Sequence, residues 1–109
     1  MTIQANISSS VLLEKIKEYV HEIAPGAEVI LFGSRARGDA KVDSDWDILI
    51  LTDKPANLKD EQVFRHKLFE LELLYGQSIS VFVYSKEDWN HKHVSTPLYH
   101  HIKMEGIVI

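Results

Sequence analysis

Asp45 and Asp47, two residues apart, open an apolar run, Ile48-Leu49-Ile50-Leu51. If that run is a strand, side chains repeat with period two. Both carboxylates then leave the same face, with their Cα atoms roughly 7 Å apart. Carboxylates so placed can converge on one or two divalent cations. An all-oxygen donor set favours Mg²⁺ or Mn²⁺ over zinc. Two like charges at the mouth of an apolar strand are costly unless a cation neutralises them. The plainer reading makes Asp45 a turn residue and leaves only Asp47 on the strand.

The segment just upstream is polar and basic. Gly33-Ser34 follows the apolar stretch Glu28-Val-Ile-Leu-Phe32, and Arg35, Arg37 and Lys41 come next. A glycine lets a phosphate approach the backbone, while a serine hydroxyl and successive N–H groups hold its oxygens. Gly33, Ser34 and Arg35 are therefore candidate nucleotide-phosphate contacts. The segment is not a Walker A loop, because Asp39-Ala40 stands where Lys-Ser/Thr is required, and it lacks the Rossmann glycine pattern. Taken alone, it reads equally as an ordinary turn with a solvated charged loop.

These residues need a scaffold, and the periodicity supplies one. Ser8-Ser9-Ser10 offers N-cap chemistry ahead of Leu12, Ile16, Tyr19, Val20 and Ile23 at helical spacing, and Pro25-Gly26 ends that helix. Glu28–Phe32 reads as a buried strand, Gly33–Ser44 as a turn with a short helix, and Asp45–Leu51 as a central strand apolar on both faces. A loop through Pro55 leads to a helix from about Asp60 to Tyr75, stopped by Gly76. Ser78–Tyr84 alternates as a third strand. Ser85-Lys-Glu-Asp88 resembles a capping box, and Thr96-Pro97 caps a last helix ending at Gly106. The order helix, strand, strand, helix, strand, helix defines an α/β or α+β fold, with residues 1–109 expected to form one domain.

Composition narrows the function. With 109 residues, 45% hydrophobic and 26% charged, the chain is of ordinary globular type. No cysteine is present, which excludes disulfides, thiolate zinc sites and a Cys nucleophile. A net charge of −4 and pI near 5.8 argue against binding duplex nucleic acid through phosphates. No apolar stretch reaches the roughly 20 residues of a membrane span, and the start lacks a secretory pattern. A cytoplasmic location is expected.

Taken together, strand, Gly33-Ser34, basic loop and Asp45-x-Asp47 strand resemble the nucleotidyltransferase fold of the DNA polymerase beta superfamily. The match is close to its minimal nucleotidyltransferases, in which Gly-Ser-Arg-Ala-Arg-Gly precedes Ser-Asp-x-Asp; here these are Gly33–Gly38 and Ser44–Asp47. The closing Ile102-Lys-Met-Glu-Gly-Ile-Val is also similar to that family's ending. The resemblance implies a small mixed sheet packed with helices. It implies that Gly33 and Ser34 bind a nucleoside triphosphate and that Asp45 and Asp47 ligate Mg²⁺ or Mn²⁺ as metal-binding, catalytic residues. The implied reaction transfers a nucleoside monophosphate, expected to be AMP, to a hydroxyl with loss of pyrophosphate. In-line displacement of this kind is assisted by two metals that stabilise the attacking and leaving oxygens. It further implies a helical HEPN-type protein partner in a toxin–antitoxin pair, and leaves a homodimer open.

One position departs from the pattern. The family carries a third carboxylate a few residues after a Gly on the next strand, and in Gly76-Gln-Ser-Ile-Ser80 that place falls to Ser80. A hydroxyl is a poor metal ligand beside a carboxylate and is no base near neutral pH. Two functions therefore stand side by side: an active transferase, and an impaired binding module that works by complexing its partner. A phosphoacceptor receiver domain fits poorly, since its acidic pair ends the first strand. The six histidines show no zinc spacing, although His93 or His101 could reach a phosphate. Trp46 and Trp89 read as core anchors, with Trp46 opposite the acidic face.

Overall fold

The computed structural model describes residues 9–109; the expected cap at Ser8 lies outside them. Helix α1 (Ser9–Ile23) leads into β1 (Glu28–Phe32), the four-residue turn α2 (Ser34–Arg37) and β2 (Trp46–Thr52). After α3 (Leu58–Tyr75) come β3 (Ile79–Ser85), α4 (Lys86–His91), α5 (Pro97–Glu105) and β4 (Ile107–Val108). The sheet order is β3-β2-β1-β4. β1 runs antiparallel to both β2 and β4, while β2 and β3 are parallel, the long α3 making the crossover that parallel pairing needs.

β2 is buried on both faces: Ile48, Leu49 and Ile50 have no exposed surface, which is why its sequence is continuously apolar rather than alternating. On one face Trp46, Ile48 and Ile50 pack with Val29, Leu31, Val81 and Val83 against the stripes of α1 (Leu12, Ile16, Val20) and α3 (Phe64, Leu68, Leu71). On the other, Leu49, Leu51, Ile30 and Phe32 meet Trp89 and Ile102 of α4 and α5. Helices therefore cover both faces, and Asp47 belongs to the second. Among the described residues no helix is long and apolar enough to cross a membrane.

The expected elements are present with shifted ends. α3 starts at Leu58 because Asn57 caps it: the Asn57 side chain accepts from the Asp60 N–H, and the Asp60 carboxylate accepts from the Asn57 N–H. Ser85 and Thr96 cap α4 and α5 as their sequences indicate. The strand expected over Asp45–Leu51 begins one residue later, and β4, too short to show periodicity, was not expected at all.

Candidate active site

Antiparallel register puts Phe32, the last residue of β1, opposite Asp47 of β2. The next residue must turn the chain across the start of β2, and it is Gly33. Its backbone, φ 75° and ψ −159°, lies in a region that only glycine adopts freely. A β-carbon there would also collide with Asp47 Oδ2. The turn then closes on itself. Ala36 and Arg37 donate their N–H groups to the Gly33 carbonyl at 3.0 Å each, and Gly38 and Asp39 donate to the Ser34 carbonyl at 3.0 and 3.2 Å. The N–H groups of Ser34 and Arg35 precede the first bonded turn and have no acceptor within it.

The acid pair is arranged differently from a simple strand. Asp47 sits inside β2, whereas Asp45 stands just ahead of it, since β2 begins at Trp46. The two are held to one place by β3. Ser80 pairs in parallel register with Asp47, and its hydroxyl donates to Asp45 Oδ2 at 3.3 Å. The residue in the place of the family's third carboxylate is thus a strand neighbour of one aspartate and hydrogen-bonded to the other.

Burial pushes the Asp47 carboxyl above the usual carboxylate range, and the Asp45 charge pushes it further; Arg37 opposes the shift and Glu105 adds to it. Such a carboxylate is destabilised by what a bound cation would relieve. Its donors are all oxygen, so the residues fit Mg²⁺ or Mn²⁺. Among the described residues no three Asp, Glu or His side chains converge on one point. Asp45 and Asp47 are the residues that would hold such a cation, with the Ser80 hydroxyl bonded to Asp45.

Arg35 goes elsewhere. Its guanidinium lies over the Trp46 ring, 4.5 Å from the centroid, and donates to the carbonyls of Val42 (3.3 Å) and Ser44 (2.9 Å). Trp46 and Asp47, adjacent on a strand, face opposite ways, and in this structure the Arg35 side chain ties the loop to the core. Trp46 is buried as anticipated, its Nε1 donating to Gln77 Oε1 at 3.1 Å.

The cation on the acidic side is Arg37, which donates to Glu105 Oε2 at 2.9 Å and to Asp39 Oδ2 at 3.2 Å. Sequence reading missed both Arg37 and Glu105 as site residues. Nothing local separates Arg37 from Arg35 in the sequence, and nothing local marks Glu105, which the end of α5 brings in from 68 residues away. His93 packs on Tyr84 and Trp89 instead of standing alone.

A glycine-serine turn packs against an acid pair at one end of a mixed sheet. The nucleotidyltransferase domain family matches residues 13–104. A candidate protein adenylyltransferase of Methanocaldococcus jannaschii is 38% identical over 80 residues, covering 69% of this chain and 81% of its own. A candidate minimal nucleotidyltransferase of known structure superposes with a TM-score of 0.62 at 23% identity, over 94% of this chain and 97% of that one. A crystal structure of a toxin–antitoxin with AMP-PNP superposes with a TM-score of 0.65 at 19% identity, over 87% of this chain and 69% of that chain. This chain belongs to the nucleotidyltransferase family and is a nucleotidyltransferase enzyme.

Proposed function

We propose that this single-domain protein transfers AMP from ATP to a hydroxyl of a partner protein in the cytoplasm, with the partner a helical HEPN-type protein in a toxin–antitoxin pair. The observation that carries the reading is the close approach of Gly33 to Asp47, whose Oδ2 would meet any β-carbon at position 33, which brings the Gly33–Ser34 turn to the acid pair. The protein-adenylyltransferase relative and the toxin–antitoxin neighbour with AMP-PNP support the choice of nucleotide and of a protein acceptor.

In this mechanism Asp45 and Asp47 would hold Mg²⁺ or Mn²⁺, which would supply neutralisation of charge on the triphosphate. The Ser34 hydroxyl and the N–H groups of Ser34 and Arg35 hold phosphate oxygens. Gly33 lets them approach the backbone. Arg37, on the same side, pairs with phosphate charge as a guanidinium does best. Arg35 keeps the loop in place from behind. The acceptor hydroxyl attacks the α-phosphorus, the bond to pyrophosphate breaks, and the hydroxyl proton passes to a carboxylate of the pair or to solvent.

A second reading is favoured by Ser80: with no third carboxylate, the chain binds nucleotide and partner and transfers slowly or not at all. One experiment separates them. Mg²⁺-ATP binding is measured by calorimetry on the wild type and Asp47→Ala, and labelled AMP transfer is followed onto helical proteins that co-purify with this one. Binding lost in Asp47→Ala together with transfer supports the enzyme, and binding without transfer supports the module. Unchanged binding in Asp47→Ala rules out this site.

A further inference from the structure

Glu105 is the last residue of α5, with its side chain only 18% exposed, and it is fixed from both directions. On one side Ile102 is buried in the core, and its carbonyl accepts the Gly106 N–H at 2.7 Å. On the other, Ile107 and Val108 pair with Leu31 and Ile30 of β1. The β1 strand held in this way is the one that runs into Gly33. Glu105 therefore sits on the frame of the phosphate turn although it lies far from that turn in sequence.

Its hydrogen-bond partner is Arg37, at 2.9 Å. Arg37 is half-exposed and would otherwise be a mobile side chain on a four-residue turn. Glu105 takes Nη1 and Asp39 takes Nε, while Nη2 makes no hydrogen bond among the described residues. A guanidinium has five N–H donors in a rigid fork, so fixing two nitrogens fixes the direction of the third. The Arg37 backbone N–H donates to the Gly33 carbonyl at 3.0 Å, and a β-carbon on Gly33 would meet Asp47 Oδ2, which places the pair beside the acid pair.

We propose that Glu105 is a positioning residue that clamps Arg37 from behind, so that its free guanidinium edge faces the nucleotide phosphates and the Gly33–Asp39 turn stays ordered. The proposal rests on the nucleotidyltransferase reading for its ligand but not for its effect on the turn. It links the end of α5 to nucleotide loading. Loss of the clamp raises the entropy of Arg37 without removing its charge, so affinity falls while the core is untouched. The pair is partly exposed and screened, and the expected loss is about three- to tenfold.

The test uses Glu105→Gln in two backgrounds, wild type and Arg37→Ala. Calorimetry reads Mg²⁺-ATP affinity, and amide exchange in the ligand-free protein reads the turn through Gly38 and Asp39. A threefold or larger loss of affinity, with faster Gly38 and Asp39 exchange and an unchanged melting temperature, is expected in the wild-type background only. An equal loss in both backgrounds, a gain in affinity, or unchanged exchange with unchanged affinity overturns the clamp. If no variant, wild type included, binds Mg²⁺-ATP, but exchange responds to Glu105→Gln only when Arg37 is present, the clamp stands and the nucleotide reading fails.

Discussion

The Asp47 carboxylate occupies the space that a side chain on Gly33 would need. The Gly33 turn and the Asp45–Asp47 pair, which we propose bind phosphate and metal, thus pack closely because position 33 has no β-carbon. Gly33→Ala adds two penalties: a backbone at φ 75° that only glycine adopts freely, and a carbon that displaces Asp47. The strain alone costs about 1–3 kcal/mol. We expect a comparable loss in chemical denaturation, and Mg²⁺-ATP affinity reduced more than in any other variant that keeps both carboxylates. An alanine variant that binds Mg²⁺-ATP as wild type does would show that the two elements are not coupled.

Asp47 predicts a pH dependence with a definite sign. Its carboxyl is raised above the usual range by burial first and the Asp45 charge second, so the folded state holds its proton more tightly than the unfolded chain. Stability therefore falls as pH rises from the ordinary aspartate value through the raised one, and the deficit persists at neutral pH. Asp47→Asn removes it. In the absence of divalent cation the variant should melt higher than wild type at pH 7, with the gain vanishing at roughly pH 3, where both forms are neutral. Added Mg²⁺ should raise the wild-type melting temperature and leave the variant's unchanged. A variant less stable at neutral pH would mean that the Asp47 charge is already compensated within the protein.

Arg35 predicts the opposite balance from a phosphate ligand. It stacks on buried Trp46 and bonds the carbonyls of Val42 and Ser44. Arg35→Ala should cost about 1–2 kcal/mol of stability, the scale of one cation–π contact and a charged hydrogen bond. Nucleotide affinity should fall less than in Arg37→Ala. Thermal melts beside calorimetry decide it, and a stable Arg35→Ala with severely weakened ATP binding would return Arg35 to the phosphate side.

Legibility followed the range of the interactions. The buried run of β2, the stripes of α1 and α3, and the caps at Ser85 and Thr96 are written in residues within a turn or two of each other, and the sequence shows them. So is the Gly33-Ser34 and Asp45-x-Asp47 spacing. Position 80 came from the resemblance, which places a carboxylate a few residues after a glycine on the next strand, and Ser80 does pair with Asp47 there. What could not be read was the side on which each arginine of the turn emerges. Arg35 and Arg37 are chemically alike, and both sit on one short turn flanked by the positive-φ glycines Gly33 and Gly38. Glu105 was hidden for another reason. Its partner lies 68 residues away, and the two-residue strand that positions it has no pattern to detect.

Ser80 carries the last prediction. It stands in register with Asp47, and its hydroxyl donates to Asp45, so a carboxylate at position 80 would join the pair directly. The serine supplies a hydrogen bond but no negative charge and no base. Ser80→Asp adds both. Without cation it crowds a third like charge beside Asp45 and Asp47, and the variant should melt below wild type. With Mg²⁺ that difference should narrow, since the added charge is a ligand. AMP transfer should rise on the order of 10²-fold if general-base assistance is what the wild type lacks. Ser80→Ala should change transfer little. The measurement is labelled-nucleotide transfer to the partner by all three proteins, with Mg²⁺-ATP affinity measured alongside. Fast wild-type transfer that Ser80→Asp abolishes would mean that a partner group fills this position and that the added carboxylate displaces it.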